Sequence, residues 1–236
     1  MKRKLEALSM AQDAYSQIRD SILRGQRPLG SPLSRRKLAA ELEMSVVPVT
    51  DALQRLESEG LVESRPRVGT RVRVPTAQDI RGHYVVREAL ESQSARLFAQ
   101  KATADERHEL LRLAQHLDAL YAAPSPNETD LDQLFRVHQA HFRFHMRVAE
   151  CSGYSALCMA IERNQILIFN WLYDTAAERK RLPANHHAVL AEELCSQNIE
   201  RADAAMRSHV MYGRDEVLQT LETLYPLTRD RLGVGL

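Results

Sequence analysis

The sequence predicts a mainly α protein in two parts. A small module of three helices closed by a β-hairpin comes first, and a larger antiparallel bundle of six or seven helices follows. Three observations carry this. Apolar residues recur at helical spacing through almost the whole chain. The period switches to alternation only once, between Leu61 and Val74. Beyond Pro75-Thr76, Ala, Leu, Glu, Arg and Gln dominate and no alternating stretch recurs. The 236 residues, 44% hydrophobic and 27% charged, have an ordinary globular composition, enough for one large domain or two modest ones and unlike a disordered chain. The longest strongly apolar patch, Ile166-Leu167-Ile168-Phe169, is far too short to cross a bilayer. The basic start Met1-Lys2-Arg3-Lys4 is followed by no long apolar segment, so no secretory signal is expected. Cys151, Cys158 and Cys195 are too few and too scattered for a disulfide scaffold and fit a reducing cytoplasm.

In the first module, residues 1–75, Ala14, Tyr15, Ile18, Ile22 and Leu23 predict a helix from Ala11 that Gly25 and Pro28 stop. Ser34 caps a second helix, Arg35 to Glu43, with Leu38, Ala39 and Leu42 on one side. Ser45 caps a third, which tolerates Pro48 in its first turn and buries Val49, Ala52, Leu53 and Leu56 before Gly60 closes it. Leu61–Ser64 and Thr70–Val74 are then strands, joined by the turn Arg65–Gly69. Three helices and a basic hairpin make a winged helix-turn-helix, a fold that lays its third helix in the major groove of DNA and its wing on the backbone or minor groove. The charge agrees: residues 1–75 hold 14 Lys+Arg against 9 Asp+Glu, although the whole chain is only +1. Arg35, Arg36, Lys37, Arg55, Arg65, Arg67 and Arg71 are the candidates for phosphate contact.

The runs Leu33–Ala39, Pro48–Leu53, Leu56–Val62 and Gly69-Thr70 resemble the DNA-binding domain of GntR-type bacterial transcription regulators over nearly all of residues 10–75. The resemblance implies a double-stranded DNA operator as partner. Family members usually carry arginines where this chain has Val46 and Thr50, at the entrance of the recognition helix. Here Ser45, Val46, Val47 and Thr50 offer only hydroxyl and methyl contacts, which discriminate bases less than a bidentate arginine does, so the family's operator does not carry over.

The second module, residues 76–236, starts with Thr76 as a cap. Helices are expected over 77–101, 103–121, 128–151, 155–180, 184–197 and 199–223, with breaks at Lys101–Thr103, Ala123–Asn127, Ser152-Gly153, Leu182-Pro183 and Gln197-Asn198, and a loose tail after Tyr225-Pro226. Short connections between such helices give an antiparallel bundle. Its histidines are its chemistry. His141 and His145, four residues apart, share a helix face, the simplest way for a helix to offer two metal ligands. His187 opens one later helix and His209 lies on the next, a spacing that lets two antiparallel helices bring both rings toward the bundle axis. The alternative is that some of these rings only pack. His138 is expected behind the group or at the surface, His186 to face elsewhere, and His83, His108 and His116 to be surface or satisfied side chains. Phe142, Phe144, Phe169 and Trp171 are expected in the core.

Arg87–Glu91, His141–His145, Gly153-Tyr154, His187–Leu190 and Ala202–His209 resemble the all-helical effector domain (the FCD domain) of the FadR-like branch of that family, over about residues 78–215. Many members of that branch bind a divalent metal through one aspartate and three histidines. The resemblance places His145, His187 and His209 at the histidine positions and His141 at the aspartate position, giving an all-imidazole site of up to four ligands. Such a donor set favours zinc or nickel over magnesium or calcium. A neutral donor set on a dication leaves positive charge suited to a small organic acid as effector. Arg87 would hold its carboxylate, or else pair with Glu91 at i+4. Asn164 and Tyr173 are further effector-binding candidates on a helix that should line the core.

Together these features predict a cytoplasmic bacterial regulator, a homodimer on a palindromic operator, whose DNA affinity responds to a small carboxylate at the metal site. A direct divalent-metal sensor and, further off, a metal-dependent hydrolase are the alternatives. No His-Glu-x-x-His helix, Gly-x-Ser-x-Gly elbow, phosphate-binding glycine loop or Cys-x-x-Cys pair supports an enzyme.

Overall fold

The computed structural model describes residues 2–123, 131–174 and 182–224, with side chains over 9–123, 131–165 and 182–223. The expected loop at residues 124–127, the end of the helix expected to reach 180 and the tail beyond Tyr225 lie outside the described residues. The chain divides into two compact units, Met1–Val74 and Pro75–Leu236.

In the first unit α1 (Lys2–Leu23) precedes β1 (Pro32–Leu33), α2 (Arg35–Glu41), α3 (Val46–Ser58), β2 (Val62–Arg65) and β3 (Gly69–Val72). Helix α1 begins well before Ala11, because nothing between Lys2 and Gly25 breaks a helix. Strand β1 has only two residues, too few to show a period. It exists because β3 has a free edge: the antiparallel sheet runs β1-β3-β2, with Leu33 and Ser64 on either side of Thr70. Ser34 caps α2 by accepting from the Lys37 N–H (3.4 Å), whereas Ser45 occupies the α3 cap position without a side-chain hydrogen bond. Ile18, Ile22, Leu38, Val49, Ala52, Leu53, Leu56, Leu61 and Val72, none more than 1% exposed, form one core between helices and sheet. In the hairpin turn Arg67 (φ 65) and Gly69 (φ 102) both take left-handed backbone, which is unstrained only at the glycine.

The second unit is a bundle of α4 (Ala77–Lys101), α5 (Ala104–Ala122), α6 (Leu131–Glu150), α7 (Ser155–Asp174), α8 (His186–Cys195) and α9 (Ile199–Leu224). Helix α4 is its axis, packed along α9 and against α6, α7 and α8; α5 lies against α6 and α8. Two capping boxes fix the starts of α4 and α5: Thr76 with Asp79, and Thr103 with Glu106. Helix α8 is started differently. Asn185 takes left-handed backbone (φ 58), and the cap comes from α5: Asp118 accepts from the His187 and Ala188 N–H groups at 3.0 and 2.9 Å. Phe98, Leu110, Leu117, Phe144, Val148, Ile161, Leu190, Leu194 and Met206 are core. Among them runs a polar stripe on α4, Tyr84, Arg87 and Glu91, all buried. Among the described residues no helix is long and apolar enough to cross a membrane.

Candidate metal centre and nucleic-acid interface

One turn of α6 separates His141 from His145, and their Nε2 atoms lie 3.1 Å apart. From α9, His209 places its Nε2 3.2 Å from the Nε2 of His145. Ligand nitrogens of the three all fall within 4.8 Å of one another. His187, from the first turn of α8, borders the group with its ring centroid 5.3 Å from that of His141 and 5.4 Å from that of His209. A common first-row ion holds imidazole nitrogens at about 2.0–2.1 Å, so two ligands on it stand about 3–3.4 Å apart. The His141–His145 and His145–His209 spacings, 3.1 and 3.2 Å, match that span.

Carboxylates behind the rings set which nitrogen faces inward. His145 Nδ1 lies 2.7 Å from Glu91 Oε2, and His187 Nδ1 lies 2.7 Å from Asp118 Oδ1. A carboxylate beside Nδ1 favours keeping the ring proton on that nitrogen, which leaves Nε2 as a bare lone pair, the arrangement that orients a metal-binding histidine. Burial, and then the neighbouring imidazoles and Arg87, push His141 and His209 well below the usual histidine range. Burial also lowers His145, against the pull of Glu91. These shifts favour the neutral, lone-pair-bearing form of His141, His145 and His209. Burial alone would raise Glu91, but Arg87 and His145 hold its carboxyl down to about 2. Glu91 and Asp118 stand beside candidate ligand rings without having been assigned to the site from the sequence. Glu91 had a signal in its spacing from Arg87. Asp118 had none, since only the packing of α5 on α8 brings it to His187.

Arg87 meets both expectations for it. Its Nε donates to Glu91 Oε1 at 2.7 Å, and its Nη2 stands 3.2 Å from His145 Nε2, at the edge of the histidine group. Gln165 also donates to Glu91 Oε1, at 2.6 Å. Asn164 turns elsewhere: its amide pairs with the ring and the backbone carbonyl of His83 at 3.1 and 3.3 Å, which ties α7 to α4 and satisfies His83. Tyr173, Phe169 and Trp171 lie outside the residues whose side chains are described. His138 is buried, and His108 and His116 are exposed. His186 differs from expectation. It packs on His209, with ring centroids 5.0 Å apart, because the first turn of α8 is turned onto α9; burial lowers its pKa to about 4. Cys151, Cys158 and Cys195 are free thiols, and burial raises Cys151 to about 12.

In the first unit Arg35, Arg36 and Lys37 are exposed on the first turn of α2 and form no ion pair among the described residues. Three cations at a helix N-terminus oppose the helix dipole, so they do not serve the helix. Val46 and Val47 are exposed at the start of α3, Val47 by 68%. Thr50 donates its hydroxyl to the Val46 carbonyl (2.8 Å), and Ser45 is exposed. Gln54, exposed one turn beyond Thr50 and Asp51, extends this face and is a polar group the sequence reading passed over. Arg67, Val68 and Gly69 project at the wing tip. Arg55 is engaged within the unit, donating to Gln12 (2.6 Å) and Glu59 (3.2 Å) and lying 3.7 Å over the Tyr15 ring. Arg65 and Arg71 both pair with Glu63.

Comparison with known proteins separates the two units. Residues 10–72 match the bacterial regulatory proteins of the gntR family, and residues 83–211 match the FCD domain. The chain is 26% identical over 205 residues to the HTH-type transcriptional repressor GlaR of Escherichia coli (strain K12), a match covering 84% of this chain and 91% of that protein. It is 42% identical over 88 residues to a probable D-xylose utilization operon transcriptional repressor of Paenarthrobacter nicotinovorans, a match confined to 36% of this chain and 39% of that one. The structure of E. coli McbR/YncC superposes with a TM-score of 0.70 at 19% identity, over 89% of this chain and 97% of that one, and shares its fold. The helix-turn-helix, the all-helical domain behind it and these likenesses make the chain a member of the GntR family of transcription regulators, a DNA-binding protein with an FCD domain and not an enzyme.

Proposed function

We propose that this regulator is a repressor whose operator affinity is set by a small carboxylate bound beside a divalent metal in its helical unit. The observation that supports this best is the convergence of His141, His145 and His209 nitrogens from two helices, with His187 and the Arg87 guanidinium at their rim. In this reading His141, His145, His187 and His209 would hold the ion. Glu91 and Asp118 keep the Nδ1 protons of His145 and His187 in place. Four imidazole donors would suit zinc or nickel. A bound ion would supply a Lewis-acidic point for one oxygen of the ligand, and Arg87 a charged donor for the anion. Arg35, Arg36, Lys37 and Arg67 bind phosphates, while Ser45, Val46, Val47 and Thr50 meet base edges and Gly69 shapes the wing. Two chains form a homodimer on a twofold operator in the bacterial cytoplasm. The carboxylate acts on DNA only through its different affinity for the DNA-competent and DNA-incompetent states.

Elemental analysis of the purified full chain tests the site. Zinc or nickel is expected at one ion per chain, lost in His145→Ala with His187→Ala together with the response of operator binding to carboxylates. An unchanged ion content in that double variant would falsify the site. The second reading, a direct metal sensor, draws on the number of imidazoles, which leaves few coordination positions for an organic ligand. It requires operator affinity to follow the free metal concentration with no carboxylate present.

A further inference from the structure

Resting on the reading of α3 as the helix that meets base edges, we propose that Val46 and Val47 recognise thymine through its C5-methyl group, so that each half of the operator carries thymine, and not guanine, where α3 enters the major groove. Large apolar side chains are scarce on the surface of the first unit. Among the described residues the exposed ones are Met10, Val46, Val47 and Val68; two of them open α3 and a third stands at the wing tip. A solvated first turn gains nothing from two adjacent β-branched residues, which lower helix propensity and leave methyl groups in water. The next two residues, Pro48 and Val49, are buried and anchor the turn, so the exposed pair is held in place. Arg35, Arg36 and Lys37 on the preceding helix and Arg67 on the wing are exposed cations of the same unit. An apolar spot among cations fits a methyl-bearing polyanion better than the apolar face of another protein.

The polar groups beside the valines select in the same direction. Thr50 gives its hydroxyl proton to the Val46 carbonyl (2.8 Å), so toward DNA it offers an acceptor oxygen and a methyl group. Asp51, four residues after Val47 and on the same side of the helix, is exposed and adds a carboxylate. Guanine presents two acceptors in the major groove, N7 and O6. Against valine methyls, a spent hydroxyl and a carboxylate it would find no donor, and the carboxylate would repel it. A thymine–adenine pair is complementary instead. The thymine methyl packs on valine, and the adenine N6 amino group is a donor that Thr50 and Asp51 can accept.

The test uses the full chain to select duplexes from a random pool, and then fluorescence anisotropy on the selected duplex. Each thymine is replaced in turn by deoxyuracil, which removes the methyl group and keeps the base pair. At the thymines that Val46 and Val47 face, affinity should fall about fourfold, the loss of one buried methyl group. Val47→Ala should not lower the thermal midpoint, because the side chain is exposed. It should bind the thymine duplex more weakly and no longer distinguish thymine from uracil at the position that Val47 faces. A selected duplex that the wild type binds equally well with uracil throughout overturns the proposal, and so does the same uracil penalty in the wild type and in Val46→Ala with Val47→Ala. Either result leaves α3 as a reader of bases. A pool that yields no preferred sequence overturns that reading too.

Discussion

Asp118 shows how much one side chain can settle. Its two oxygens accept from the His187 and Ala188 N–H groups and from His187 Nδ1, so one carboxylate starts α8 and orients a candidate metal ligand. Replacing it with alanine removes a cap, which costs about 1 kcal/mol, and a group behind a ligand, which weakens metal binding about 10–100-fold. Urea denaturation and chelator competition on Asp118→Ala measure the two losses separately; a variant that loses stability but binds zinc as before would remove Asp118 from the metal centre. Glu91 does comparable work from α4, accepting from Arg87 and Gln165 on one oxygen and facing His145 with the other. A buried carboxylate so surrounded stays ionised in spite of its desolvation.

At the scale of the element, α2 and α3 carry features that isolated helices would avoid. Three cations crowd the first turn of α2, where the dipole favours anions. The Ser45 side chain leaves the first N–H groups of α3 uncapped, and two exposed valines follow it. Both ends become favourable beside a phosphate backbone, which supplies negative charge and hydrogen-bond acceptors. Arg36→Ala should therefore lower operator affinity and reduce the slope of log affinity against log salt by about one. Fluorescence anisotropy over a salt series reads this, and an unaltered slope excludes Arg36 as a phosphate contact. Arg55, by contrast, is held by Gln12, Glu59 and Tyr15, so its charge was legible in the sequence and its engagement was not.

For the molecule as a whole, a regulator that couples two ligands must do so reciprocally. If a carboxylate weakens operator binding by some factor, operator DNA weakens carboxylate binding by the same factor. Calorimetric titration of the zinc-loaded protein with the carboxylate, in the presence and absence of operator, measures one side of that cycle, and operator titration with and without the carboxylate measures the other. Unequal factors would mean that the two ligands do not act on one shared equilibrium.

The sequence by itself determined the two-part plan, the order of the helices, the caps at Ser34 and Thr76 and the pairing of His141 with His145. All of these follow from local spacing along a helix or strand, a property of neighbours in the chain. It also determined that His187 and His209 were worth watching. Tertiary structure alone decided that His209 reaches His145, that His186 packs on His209, that Asn164 turns to His83, that Asp118 caps α8, and that Pro32-Leu33 is a strand at all. Each joins residues far apart in sequence, through the rotation of one helix against another or a free sheet edge. Local periodicity places a residue on a face but carries no information about which distant face it will meet.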